Sequence, residues 1–178
     1  DTMIVAKSIQ LIGAGSQKEI KLECIGITLG GNLTLNTYSS IIPDTSAALD
    51  HVPVIFNDDC QINIGNDNQS VLRLIIEQNA TVEQLNHIRQ DKCCLEIKSG
   101  RFETGNNDLE LYAIWIIPHP DSIGLSEQSF EGGASNIILH ADGEALQGLN
   151  YLDPDSTHYF QLVDLTFESD ASQPIPGQ

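Results

Sequence analysis

The chain has 178 residues, 40% of them hydrophobic, and carries 25 acidic against 8 basic side chains for a formal charge of −17. That apolar content supports a real core and sets intrinsic disorder aside. The acidity excludes phosphate-backbone binding, whose affinity comes from Lys and Arg displacing counterions, and equally disfavours an anionic membrane surface.

Strand signals dominate from the start. "MIVAKSIQLIG" and "EIKLECIGITLGG" are β-branched runs divided by the turn-forming "AGSQK". In the second run Ile20, Leu22, Cys24 and Gly26 fall on one face, opposite Lys21, Glu23 and Ile25. This is the half-buried alternation of an antiparallel sheet. Gly30–Gly31 leads into "NLTLNTYSSII" with the look of a tight hairpin. "PDTSAALDH" reads as a loop, and "VPVIF", "CQINIG" and "SVLRLIIEQ" as further strands separated by "NDD" and "NDN" turns.

"TVEQLNHIRQ" is the best helix candidate: Thr81 and Gln84 fit a capping box, and Val82, Leu85 and Ile88 give an apolar stripe. "DLELYAIWIIPHP" is the most apolar strand, with Leu109, Leu111, Ala113, Trp115 and Ile117 opposed to Tyr112, Ile114 and Ile116. Apolar residues on both sides mark a central strand covered on each face. "IILHA" and "HYFQLVDLTFES" close the series, the latter with Tyr159, Val163, Leu165 and Phe167 inward. No internal repeat is evident. The expected fold is mainly β, an antiparallel β-sandwich or barrel with one short flanking α-helix over Thr81–Gln90. One β-rich domain spans residues 1–169, followed by an extended C-terminal arm over 170–178.

No motif carries catalysis. A nucleophile elbow is absent, since "GAGSQ", "GLSEQ" and "GGASN" miss the G-x-S-x-G spacing. Cys24, Cys60, Cys93 and Cys94 lie in apolar strands, which favours buried thiols over disulfides or nucleophiles. Adjacent Cys93 and Cys94 point to opposite faces of a strand. His51, His87, His119, His140 and His158 are dispersed without metal-ligand spacing. "HPD" from His119 and "HADGE" from His140 set a histidine near a carboxylate but supply no further ligands.

"NDNQS" and "DPDSTH" bring oxygen ligands onto turns without matching a calcium loop. The pairs Glu103/Asp108 and Glu127/Glu131 are read as solvated surface, and Gly13–Gly15 as a weak phosphate cradle. Three glycosylation sequons, at Asn32, Asn68 and Asn79, are close to chance for this composition. The expectation is therefore no enzyme, no cofactor, no metal, no sequence-specific nucleic-acid binding and no membrane partner. No apolar run reaches the roughly 18–20 residues that span a bilayer.

The stretch "LEIKSGRFETGNNDLELYAIWIIPHPDSIGLSEQSFEGGASNIILHADGEALQG", with "HYFQLVDLTFESD", resembles the second half of tail-tube and related virion proteins of tailed bacteriophages. The resemblance covers roughly residues 95–170 and is one of pattern. It implies a β-sandwich with a flanking helix, polymerised into rings whose acidic lumen lets DNA slide through, and a location in the virion or, during assembly, the cytoplasm. The partners it implies are other virion proteins and copies of the chain, joined through sheet edges, loops 100–108 and 118–135, and the arm 170–178. The alternatives are a capsid decoration or pilus-like surface subunit, an extracellular β-sandwich module for sugar or protein with calcium as an aid, and a small-substrate barrel enzyme.

Overall fold

The computed structural model describes residues 2–116, 130–140, 149–151 and 164–168. Its apolar runs are strands, and they all pair in the same direction. β1 (Met3–Ala6), β2 (Ile9–Leu11) and β3 (Ile20–Cys24) form a first coil, and β4 (Gly26–Leu29), β5 (Leu33–Leu35) and β6 (Ser39–Pro43) a second. β1 lies parallel on β4 with Met3 opposite Gly26, β2 on β5 with Ile9 opposite Leu33, and β3 on β6 with Ile20 opposite Ser39. A chain that pairs each strand with its counterpart one turn later is a β-solenoid.

The third coil contains β7 (Val52–Phe56) and β8 (Cys60–Ile64), and completes its turn through an irregular segment over 65–71. β9 (Leu72–Ile76) and β10 (Ala80–Gln84) begin the fourth. β11 (Ile88–Ile97) and β13 (Leu109–Ile116) then serve two coils each, with a register shift between Gln90 and Cys94. Residues 109–111 of β13 pair onward with β15 (Asn136–His140), whereas 114–116 pair with β16 (Leu149–Tyr151). β12 (Gly100–Glu103) and β14 (Phe130–Glu131) extend the β2–β5–β8–β10 stack, and β17 (Asp164–Glu168) pairs with β15.

This architecture overturns the antiparallel sandwich or barrel. Among the described residues there is no helix: the Thr81–Gln90 segment divides between β10 and β11. Its apolar residues Val82 and Ile88 point inward, in the same alternation as Ala80 just before it, while Leu85 is exposed at the turn. Gly30–Gly31 is a corner between two stacks, not a hairpin, because β4 and β5 pair with different strands. The expected loop 100–108 opens with β12. β13 is buried on both faces at Ala113 and Ile114, each 1% exposed, whereas Glu110 and Tyr112 are half-buried. Its alternation breaks, however: Leu109, Leu111 and Ile114 all join the core. Residues 117–129, 158–163 and the arm 170–178 lie outside the described residues.

In-register stacking puts like above like. Ile27, Val54, Leu74, Leu95 and Ile114 form one interior column, each directly opposite the next and all but excluded from solvent. Val82, Phe102 and Phe130 form another, the two rings stacked at 5.8 Å with 16° between planes. A fully buried side chain of this size contributes about 1.5–3 kcal/mol by its removal from water.

Serine, asparagine and aspartate side chains stitch the corners. Ser8 Oγ accepts the Asn32 N–H at 3.0 Å, Asn32 Oδ1 accepts the Gln61 N–H at 2.8 Å, and Asp59 Oδ1 accepts the Thr81 N–H at 2.7 Å. Each bond ties a corner to the next coil and satisfies a backbone group that the ladder leaves over. Gly13 permits the closest approach, since a Cβ there would meet the Tyr38 carbonyl oxygen at 1.9 Å.

Candidate functional site

In a parallel stack, side chains on the same side of neighbouring coils stand about 4.8 Å apart, so groups far apart in sequence meet across coils. Three such clusters concentrate the titratable groups. The first lies where β11, β13 and β15 run side by side. Register sets Arg89 opposite Glu110 and Glu110 opposite Ile138. Glu110 takes Arg89 Nε on one oxygen at 3.0 Å and His140 Nε2 on the other at 2.7 Å.

Beside this triad, Asp108 Oδ1 accepts both the backbone and the side-chain N–H of Asn136, at 2.9 and 3.0 Å. The Asp108 N–H donates to His87 Nδ1 at 2.8 Å. That bond makes Nδ1 an acceptor, so the 3.6 Å approach of the same nitrogen to the Asp108 carboxylate is not an ion pair.

The second cluster contains His51, Arg73, Cys94 and Glu96. Arg73 Nη2 meets Glu96 Oε2 at 2.6 Å, and the Glu96 side chain is only 3% exposed. His51 Nε2 stands 3.8 Å from Cys94 Sγ. A cysteine beside a histidine is the arrangement of a thiol nucleophile and its base, but here the electrostatics run the wrong way. Burial pushes the Cys94 thiol up to about 12, outweighing the opposing pull of Arg73, and burial also lowers His51. The thiol stays protonated and solvent does not reach it.

The third cluster is a carboxylate column on the outer side of β10, β12 and β14. Glu83, Glu103 and Glu131 stand directly opposite one another. Arg101 relieves the repulsion by pairing with Glu103 at 2.8 Å and with Glu131, and Gln61 Nε2 donates to Glu83 at 2.9 Å. Like charges in direct cross-strand register are destabilising unless such a counter-charge intervenes.

The candidates from the sequence scatter over this frame. Glu103 and Asp108 belong to different clusters, and Glu127, His119, His158 and residues 141–163, apart from 149–151, lie outside the described residues. The calcium-like "NDNQS" turn is an internal staple. Asn68 is 4% exposed and donates to the Asn36 and Ser39 carbonyls at 2.6 Å each, while its Oδ1 accepts the Ser70 N–H. Its amide is therefore neither a free ligand nor accessible as a glycosylation acceptor. Gly13 serves the coil contact described above and Gly15 adopts a positive φ of 138°, so this pair shapes a turn and not a phosphate cradle.

All four cysteines are buried, without a disulfide, as expected from their apolar strands. Among the described residues no group of three or more His, Cys, Asp or Glu is placed to hold a metal. The Arg89–Glu110–His140 triad escaped the sequence because its members are separated by 21 and 30 positions and only the coil register joins them. No family model, curated protein or solved structure matches the chain.

Proposed function

We propose that the chain is a structural subunit of an assembly, a solenoid module that joins its neighbour through its end, and not an enzyme. One observation carries this reading: among the described residues nothing covers the first coil, and no strand lies beyond β1, β2 or β3. Met3, Val5, Ile12 and Ile20 are 54%, 81%, 49% and 40% exposed. Four of the seven large hydrophobic residues exposed in the described structure thus gather in one coil. Open strand edges of this kind recruit another chain unless they are blocked.

The outer clusters support the same reading from the other side. Their acids and bases are joined to each other across coils, which stabilises a stack but leaves no nucleophile or activated base. The tube form of the assembly drew on a β-sandwich with sheets joined across subunits. A solenoid has no such sandwich, so the proposed role is an assembling subunit without a tube geometry. Sedimentation velocity of the 178-residue chain over a range of concentrations tests it: self-association is expected, and a strict monomer at every concentration would contradict it.

A further inference from the structure

The charge of the molecule is unevenly placed. Residues 1–24 hold Lys7, Lys18 and Lys21 against Asp1, Glu19 and Glu23, a net of zero, so the entire −17 belongs to residues 25–178. Two copies approaching side by side repel through their acidic flanks, whereas two approaching by their first coils bring neutral, apolar surfaces together.

The backbone of that coil is ready for such a contact. The Thr2 and Ala6 carbonyls accept from Ile25 and Gly30, so by strand alternation the N–H and C=O of Met3 and Val5 face the open side. Ile20 donates to Tyr38 and Cys24 accepts from Asp44, which likewise turns Lys21 and Glu23 outward from the stack. Half-buried Ile4, Ala6, Ile9, Leu11 and Leu22 pack against the core, and among the described residues nothing covers them from the far side.

We propose that this end binds a second copy of the chain, first coil to first coil, across a two-fold axis beside Leu22 that pairs β3 antiparallel with β3 of the partner. The proposal rests on the assembly reading above and names its partner. A two-fold contact reverses strand direction, so the join is antiparallel although each solenoid is parallel throughout. Centred on Leu22, it sets Lys21 opposite the partner's Glu23, and Glu23 opposite the partner's Lys21. These are the residues whose backbone groups face the open side, so each opposed pair exchanges two N–H···O bonds while the two Leu22 side chains meet at the non-hydrogen-bonded position. The same axis carries β1 over the partner's β2, because reversing a three-sided coil about one side exchanges the other two. The end of one core then covers the end of the other.

Charge reversal tests the register. Lys21→Glu places like charges opposite each other twice per dimer and is expected to raise the dimer dissociation constant about 10- to 30-fold. The double variant K21E/E23K restores opposite charges and should bring the constant back to within about threefold of the parent. Both positions are exposed, and a parental melting temperature at dilute concentration confirms that the variants fold. Val5→Pro removes an N–H that the coil does not use and should also weaken the dimer without lowering that temperature. A dimer indifferent to K21E, or a double variant no better than the single, overturns this register while leaving the assembly reading intact. A monomer at every concentration overturns both.

Discussion

The middle coils and the first coil are built from the same kind of sequence and end in different states. In β7, Val52, Val54 and Phe56 are fully buried between β4 and β9. In β1, Ile4 and Ala6 point inward with the same alternation, yet both are only half-buried because nothing in the described structure lies beneath them. In a solenoid, burial comes from neighbours as much as from composition. Each coil shields the next, and the last coil at an end inherits half a core.

The widest separation between the two regions should appear in core truncations. Phe102→Ala removes a ring stacked on Phe130 in a closed interior and is expected to cost about 3–5 kcal/mol. Ile4→Ala, at the open end, should cost about 1 kcal/mol, since only part of its transfer energy is gained on folding. Urea denaturation of the dilute protein measures both, and equal costs would erase the distinction. Next in size are the coil staples. Asn68→Ala removes the amide that bridges the buried Ser39 carbonyl and the part-buried Asn36 carbonyl and should cost about 1–3 kcal/mol by thermal unfolding. Ser8→Ala, at the exposed corner of the first coil, should cost less than about 1 kcal/mol.

The parallel stacking was not legible in the sequence, and the reasons are physical. "VPVIF-NDD-CQINI" and "LRLII-EQN-ATVEQ" each show two strands joined by three residues. A corner and a hairpin both need a short polar link, and only the partner strand, about twenty residues away, tells them apart. Coil length also varies: Leu95 and Ile114 are 19 positions apart, Leu109 and Ile137 are 28. Unequal coils with no shared motif hide the repeat. The strands themselves were legible, as were the buried cysteines. Thr81 and Gln84 pointed instead to a helix cap. In the structure Gln84 is buried and donates to the nearby Asn86 carbonyl and to the Asp108 carbonyl 24 residues on, the latter a use that local spacing does not reveal.

The smaller effects concern titration and reactivity. His51 has its folded-state pKa lowered by burial, so the folded protein holds the ring neutral. Its contribution is fully present above the ordinary histidine value of about 6.5 and is lost as pH falls through the depressed value. Melting temperature should therefore fall on acidification below about pH 6.5, with a shallower slope in His51→Gln. An unchanged slope would remove His51 from the account. Smallest of all, Cys60 and Cys94, both pushed up to about 12 by burial, should resist alkylation at pH 8. There the thiolate fraction is about one part in ten thousand. Labelling of these thiols in the native protein within minutes would show that the middle coils are not closed.

Residue-resolved hydrogen exchange at low and high protein concentration bears most directly on an open end that another copy covers. Ladder amides of β7, β9 and β11 should be protected equally at both concentrations. The amides of Met3, Val5, Lys21 and Glu23 should exchange rapidly when dilute and slow by tenfold or more when concentrated, the change expected of edge groups that become paired. First-coil amides that exchange at the same rate throughout the concentration range would contradict the account.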